Sequence, residues 1–179
     1  MKTDISFQEE HQRFRYKAAA LIHEEGAFAF MSNPYEDYFY PLGGAVQLGE
    51  SSEDAVKREV LEETGQVYEI DRLVLIHENF FQQERGRLAG LDCHEICFYY
   101  LMKSKGKQFV SLSSDETVKW IPLEELNHHT AYPNFLPDLF PHLHQGIQHL
   151  ITEKSSKWDK ISIQKNSLIP SLLLITKDE

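Results

Sequence analysis

Cysteine is nearly missing from this chain: only Cys93 and Cys97 occur. Their spacing is not C-x-x-C. On an extended strand they share a face about 13 Å apart, too far for a disulfide or a shared zinc ion. Buried, reduced thiols are expected, as in a cytoplasmic protein. Long apolar runs are missing too: no stretch approaches the ~18 residues of a membrane span, and the first residues lack the apolar core of a signal peptide, so no membrane partner is expected. Basic excess is absent, with 18 Lys+Arg against 28 Asp+Glu and a net charge of −10. That leaves no electrostatic footprint for a nucleic-acid polymer. Internal repeats and low-complexity tracts are lacking. What remains is an ordinary globular composition, 41% hydrophobic and 26% charged over 179 residues. That length suits one domain with a proper core.

The information is concentrated in residues 44–66. Gly44, Glu50, Arg58, Glu59, Val60, Glu62, Glu63 and Gly65 stand in a fixed register. At average composition such a set would recur on the order of once in 10⁹ windows. Ser51-Ser52-Glu53-Asp54 fits a capping box, which predicts a helix starting at Ser51 or Ser52. Gly65 fits the left-handed residue that ends a helix. Along that helix Glu59, Glu62 and Glu63 share one face, because residues three and four apart are neighbours. Like charges so placed destabilise the helix by a few tenths of a kcal/mol each. A hard divalent cation, Mg²⁺ or Mn²⁺, offsets that cost, since it takes carboxylate oxygens and shares its other positions with phosphate.

This pattern, G-x5-E-x7-R-E-U-x-E-E-x-G-U with U aliphatic, resembles the box of the Nudix hydrolases, in particular the small bacterial, MutT-like members. Two departures occur. Gln66 occupies the final aliphatic slot, with Val67 next to it, and Pro41-Leu42-Gly43-Gly44 stands where the family usually has Pro-Gly-Gly. The resemblance implies an α/β/α sandwich with a mixed, curved β-sheet between helices. It also implies water attack on phosphorus in a diphosphate linkage, assisted by divalent metal. By position, Glu62 and Glu63 match the principal metal ligands, and Glu59 a ligand or the base for water. Arg58 and Glu50 match the pair that orients the carboxylates. The carbonyl of Gly43 or Gly44 can complete the coordination. Many members draw a further acid from a loop well after the box, and of Asp115 and Glu116 the latter is the better candidate.

Outside the box, residues 1–12 read as a polar lead-in, loose or with a short helical turn. Residues 13–23 and 27–31 read as two strands separated by Gly26. Residues 67–81 and 93–102 follow as strands around a glycine-containing turn; the second is nearly apolar and therefore expected to be central. The phrase from Val118 to Leu126 suggests a late strand and a short helix. Residues 142–151 are expected to form a helix and 152–160 a polar linker. The domain is drawn at 13–153. The extension 154–179, carrying Leu168, Ile169 and an apolar run at 172–175, is expected to pack on the domain or on a partner in a homodimer.

Alternation places Cys93, Glu95, Cys97 and Tyr99 on one strand face and His94, Ile96, Phe98 and Tyr100 on the other. A charged Glu95 in so apolar a strand requires a partner or a function, which makes it a substrate-site candidate. His94 reads as structural, and the histidines from His128 onward as surface or packing residues. Cations for substrate phosphates are available from Arg13, Arg15 and Lys17, which share a face, and from Arg85 and Arg87. Phe39, Tyr40 and Phe81 are candidates for stacking a base. The expected ligand is a nucleoside diphosphate linked to another moiety. A catalytically silent nucleotide sensor on the same fold is the alternative, disfavoured by the intact glutamate set.

Overall fold

The computed structural model describes residues 2–32, 38–84, 88–110, 117–155 and 158–163, from residue 154 onward as backbone alone. In chain order the elements are β1 (Ser6–Glu9), β2 (Gln12–Leu21), β3 (His23–Glu24), β4 (Ala27–Ser32), β5 (Leu42–Ala45), α1 (Ser52–Thr64), β6 (Ile70–Gln82), β7 (Asp92–Met102) and β8 (Thr117–Pro122). A 3₁₀ turn (Leu123–His128), the single-turn α2 (Leu136–Leu139), a second 3₁₀ turn (Phe140–His142), β9 (Gln148–Ser155) and β10 (Trp158–Ile163) complete it.

The larger sheet has seven strands in the order β1-β2-β7-β6-β9-β10, with β5 also paired to β2. It is mixed: β2 runs parallel to β7 and β6 parallel to β9, while β7 and β6 are antiparallel. The apolar β7 is central, as its sequence demands, because both of its faces are covered. β3, β4 and β8 form a small second sheet.

α1 begins where the capping signal lies. Ser51 accepts the amide of Asp54 at 3.1 Å, while the Asp54 carboxylate takes the Ser51 hydroxyl at 2.8 Å. Such a cap is worth about 1 kcal/mol. The helix ends on Gly65 at φ 68°. Ala55, Val56 and Val60 are buried against Ala18, Ala20, Tyr100 and Met102. Alanines on β2 let the helix axis approach the sheet closely. The opposite face of the sheet carries Ala19, Leu21, Leu75, Cys97, Tyr99 and Leu150 under α2 and the two 3₁₀ turns. The fold is thus an α/β sandwich whose second helical layer is short.

Three expectations need correction. The lead-in is neither loose nor helical: β1 pairs antiparallel with β2, and Asp4 bridges to Gln47. A strand there pairs the open edge of β2, which would otherwise expose unpaired backbone groups. Residues 142–151 do not form a helix, because Gln148 already enters β9. The linker at 152–160 is instead the β9–β10 hairpin, in register from Ser155↔Trp158 to Leu150↔Ile163. Parallel pairing with β6 over residues 148–153, and the antiparallel β9–β10 ladder beyond, supply the backbone hydrogen bonds that local propensity did not announce. Residues 164–179, with their apolar run, lie outside the described residues. No helix among the described residues is long and apolar enough to cross a membrane. Cys93 and Cys97 are both free and buried.

Candidate active site

α1 and β5 build the site together. Gly43, at φ 139°, lies so close to β2 that a side-chain carbon there would sit 2.2 Å from the Ala18 carbonyl oxygen. Only glycine permits this packing and this backbone angle together. The tight approach brings the Gly43 amide to Glu63, donating to Oε2 at 3.1 Å. Gly44 faces the helix, with the Glu59 carboxyl 2.5 Å from where its side-chain carbon would be.

Arg58 lies at the centre. Its Nε and Nη2 donate to the two oxygens of Glu50 at 2.8 and 3.0 Å, a bidentate pair. Nη1 donates to Glu59 at 2.6 Å and to Glu62 at 3.2 Å, and Nη2 also reaches the Ala45 carbonyl at 3.1 Å. Glu50 is further held by the Gln47 amide at 3.1 Å. Its hydrogen bonds from Arg58 hold the Glu50 carboxyl below its usual range, against burial. The same Glu50 contact pushes Arg58 upward, so it stays cationic. Glu59 behaves oppositely: burial pushes its carboxyl up, Arg58 opposes, and the charges of Glu62 and Asp4 add to the rise.

The cluster is therefore short of positive charge. Among the described residues the ion pairs of Glu50, Glu59 and Glu62 are all made with Arg58, Lys2 adding only a lesser charge near Glu50, with Glu63 one residue further on. That deficit fits a divalent cation held by carboxylate oxygens. Among the described residues no three acidic, histidine or cysteine side chains converge as a ready cage. The reason is visible: Glu59 and Glu62 are turned onto Nη1 of Arg58.

Arg15, Lys17 and Glu95 lie on the sheet face opposite α1, in alternation with Ala19, Cys97 and Tyr99. Arg15 and Glu95 are register partners joined at 2.9 Å. Lys17 stands opposite Ala45 of β5, beside the glycines. His94 points to the other face, its ring 4.2 Å from Phe80 and edge-on to Phe14. Phe39 packs on the core and edge-on to His129 at 5.3 Å, and Tyr40 on the α1-side core, so neither ring is free for a base. His149 pairs with Glu78 at 2.6 Å. Asp115, Glu116, Arg85 and Arg87 lie outside the described residues.

Four polar groups escaped sequence reasoning. Asp4 adds charge beside Glu59 from a segment taken for a tail. His77, 2% exposed, bonds through Nε2 to Thr152 at 2.7 Å, and burial holds its pKa down at about 4. Asn79 accepts from the same Thr152 hydroxyl at 2.7 Å. A histidine in the otherwise apolar run Val74-Leu75-Ile76 was a signal for the second. Thr152 had none, since it lies more than seventy residues away in sequence.

A model of the NUDIX domain matches residues 13–143. Among solved structures, a mutator MutT protein from Bacillus halodurans superposes with a TM-score of 0.63 at 16% identity, covering 84% of this chain and 97% of that one. A MutT protein from Methanosarcina mazei Go1 gives 0.57 at 20% identity, over 77% and 97%. A NUDIX hydrolase from Nitrosomonas europaea gives 0.57 at 14%, over 82% of each chain. At such identities the likeness establishes the fold. No match to a curated protein was found for this sequence. With the family model spanning most of the chain and the box residues gathered around one arginine, the chain belongs to the NUDIX domain family and is a hydrolase of phosphoric anhydride bonds.

Proposed function

We propose that this protein is a divalent-cation-dependent pyrophosphohydrolase acting on a nucleoside diphosphate linked to another moiety. The observation that carries the reading is the Arg58 hub, which holds Glu50 in a bidentate pair and gathers Glu59 and Glu62 beside it. Glu59, Glu62 and Glu63, with the carbonyl of Gly43, are the groups that would hold Mg²⁺ or Mn²⁺. When bound, such a cation positions the attacking water and neutralises charge developing on the phosphoryl oxygens. Glu59 is suited to receive the water's proton, because burial already raises its affinity for one. Glu50 keeps Arg58 in place, and Arg58, bonding both through Nη1, holds the Glu59 and Glu62 carboxylates side by side. Lys17, opposite Ala45, is suited to meet a phosphate oxygen. Arg15 and Glu95, paired two residues further along β2, would contact the moiety beyond it.

The test is a panel of nucleoside triphosphates, nucleotide sugars, ADP-ribose and dinucleoside polyphosphates with Mg²⁺ or Mn²⁺, with products identified. Cleavage at a phosphoric anhydride bond supports the reading. Tight nucleotide binding with no turnover of any member would make the protein a sensor instead.

A further inference from the structure

Arg15, Glu95, Asn79 and Thr152 stand directly opposite one another on the adjacent strands β2, β7, β6 and β9. They form one polar row across the sheet face away from α1. Hydrogen-bond direction fixes what the row presents. The Asn79 carbonyl oxygen can only accept, so Thr152 donates its single hydroxyl hydrogen there, at 2.7 Å. Thr152 must then accept from His77, which makes Nε2 the protonated nitrogen of that ring, at 2.7 Å. His77 is neutral at pH 7, its pKa held at about 4 chiefly by burial. Thr152 thereby leaves the Asn79 amino group uncommitted.

At the other end, Arg15 binds one Glu95 oxygen, and the second has no partner among the described residues. Arg15 Nε is sealed from solvent without a hydrogen-bond partner. The row thus offers a carboxylate acceptor and an amide donor in line, with Arg15 holding the carboxylate from its far side. Side chains there are mostly shielded, 27% exposed for Arg15 and 13% for Glu95, so their hydrogen bonds compete little with water.

Distance selects the ligand group. Lys17 lies two residues along β2 from Arg15 and opposite Ala45 at the end of β5. Successive same-face rows are about 7 Å apart. A phosphate at Lys17 therefore places the next covalently attached group, a sugar, over the Arg15–Glu95–Asn79 row. A base lies farther away. A carboxylate accepting from ribose hydroxyls is a recurrent solution for nucleotides.

We propose that this row is a sugar-reading subsite: Glu95 accepts from a vicinal hydroxyl pair on the sugar borne by the diphosphate, and Asn79 donates to a sugar oxygen. The substrates are then ribose-type diphosphate conjugates in preference to their deoxy counterparts. Arg15, Thr152 and His77 are positioning residues for the two contacting groups. The proposal rests on the hydrolase reading for the location of the phosphate, and its test is separable from that reading.

Equilibrium binding of α,β-methylene ADP and of its 2′-deoxy counterpart, with Mg²⁺, reads the subsite without turnover. Wild-type protein should bind the ribo form at least about tenfold more tightly, because a site built for a hydroxyl rejects the analogue lacking it. Glu95→Gln should bring the two within about twofold of each other. Thr152→Val, which frees the Asn79 amide to rotate, should narrow the ratio without unfolding the protein, and it serves if the Glu95 variant does not fold. A wild-type ratio near one, an unchanged ratio in both variants, or no binding of either nucleotide overturns the proposal. Hydrolysis of ordinary nucleotides by wild-type protein, scored separately, reports on the hydrolase reading alone.

Discussion

Arg58 donates to both carboxylate oxygens of Glu50, at 2.8 and 3.0 Å, across eight residues of chain. This pair, more than any single glutamate, organises the site, because the same guanidinium sets where Glu59 and Glu62 point. Arg58→Lys keeps the charge but loses the planar fork. Turnover should fall about 10–100-fold, the usual cost of removing a partner that orients ligands. Steady-state kinetics at saturating Mg²⁺ check this, and a value within twofold of wild type would contradict it.

The two glycines of β5 should fail differently. A side-chain carbon at Gly43 meets backbone, the Ala18 carbonyl oxygen at 2.2 Å and the Ala19 Cα at 2.8 Å. Gly43→Ala should lower stability by about 4 kcal/mol or more, through forced separation of β5 from β2. At Gly44 the obstacle is the Glu59 carboxyl, the end of a flexible side chain. Gly44→Ala should leave Tm within a few degrees of wild type and displace Glu59, with turnover reduced at least about tenfold. Melting curves beside kcat separate the two cases.

Locality explains which parts were legible beforehand. Cap, glycine stop and glutamate face of α1 all lie within one short segment, so periodicity suffices. β9 was misread because its place in the main sheet comes from a parallel register with β6, more than seventy residues earlier. Alternation correctly grouped Arg13, Arg15 and Lys17, and separated Glu95 from His94, since a strand's period is a local property. It could not say that Glu95 meets Arg15, a contact spanning eighty residues. Asp4 was overlooked because nothing local distinguishes an edge strand from a polar tail.

His77 should make the fold acid-sensitive in a definite window. Its pKa falls from the ordinary 6.5 to about 4 in the fold, mainly through burial, with Lys17 adding and Glu95 opposing. The unfolded chain therefore binds the proton more readily, and stability rises with pH across that interval. His77 contributes fully above 6.5 and loses about 3 kcal/mol as pH falls to 4. Urea titrations at several pH values, with His77→Gln as reference, should show a smaller slope in the variant. Parallel curves would refute the assignment.

Glu24 carries a second acid-sensitive contact. It is fully buried and accepts from Tyr68, Ser104 and the amides of Lys105 and Gly106, at 2.5–3.0 Å. Burial pushes its carboxyl up, but these donors together outweigh it and hold it below the usual 4.5. Glu24→Gln turns an amino group toward donors and should cost about 2–3 kcal/mol at pH 7. Because the native pKa is the lower one, that advantage of the wild type is present above pH 4.5 and shrinks as pH falls through the native value. Chemical denaturation at pH 7 and pH 3.5 measures the difference. A gap that widens on acidification would contradict this.

Hydrolysis in H₂¹⁸O, run with wild type and Glu62→Gln side by side, reaches the central claim most directly. Water attack on phosphorus predicts ¹⁸O in a phosphate product of the cleaved anhydride. Glu62 as a metal ligand predicts turnover lower by about 10²–10³-fold in the variant, as for loss of a group that stabilises transition-state charge, with an unchanged melting temperature. Label appearing on a sugar carbon, or a Glu62→Gln protein that turns over normally, would contradict it.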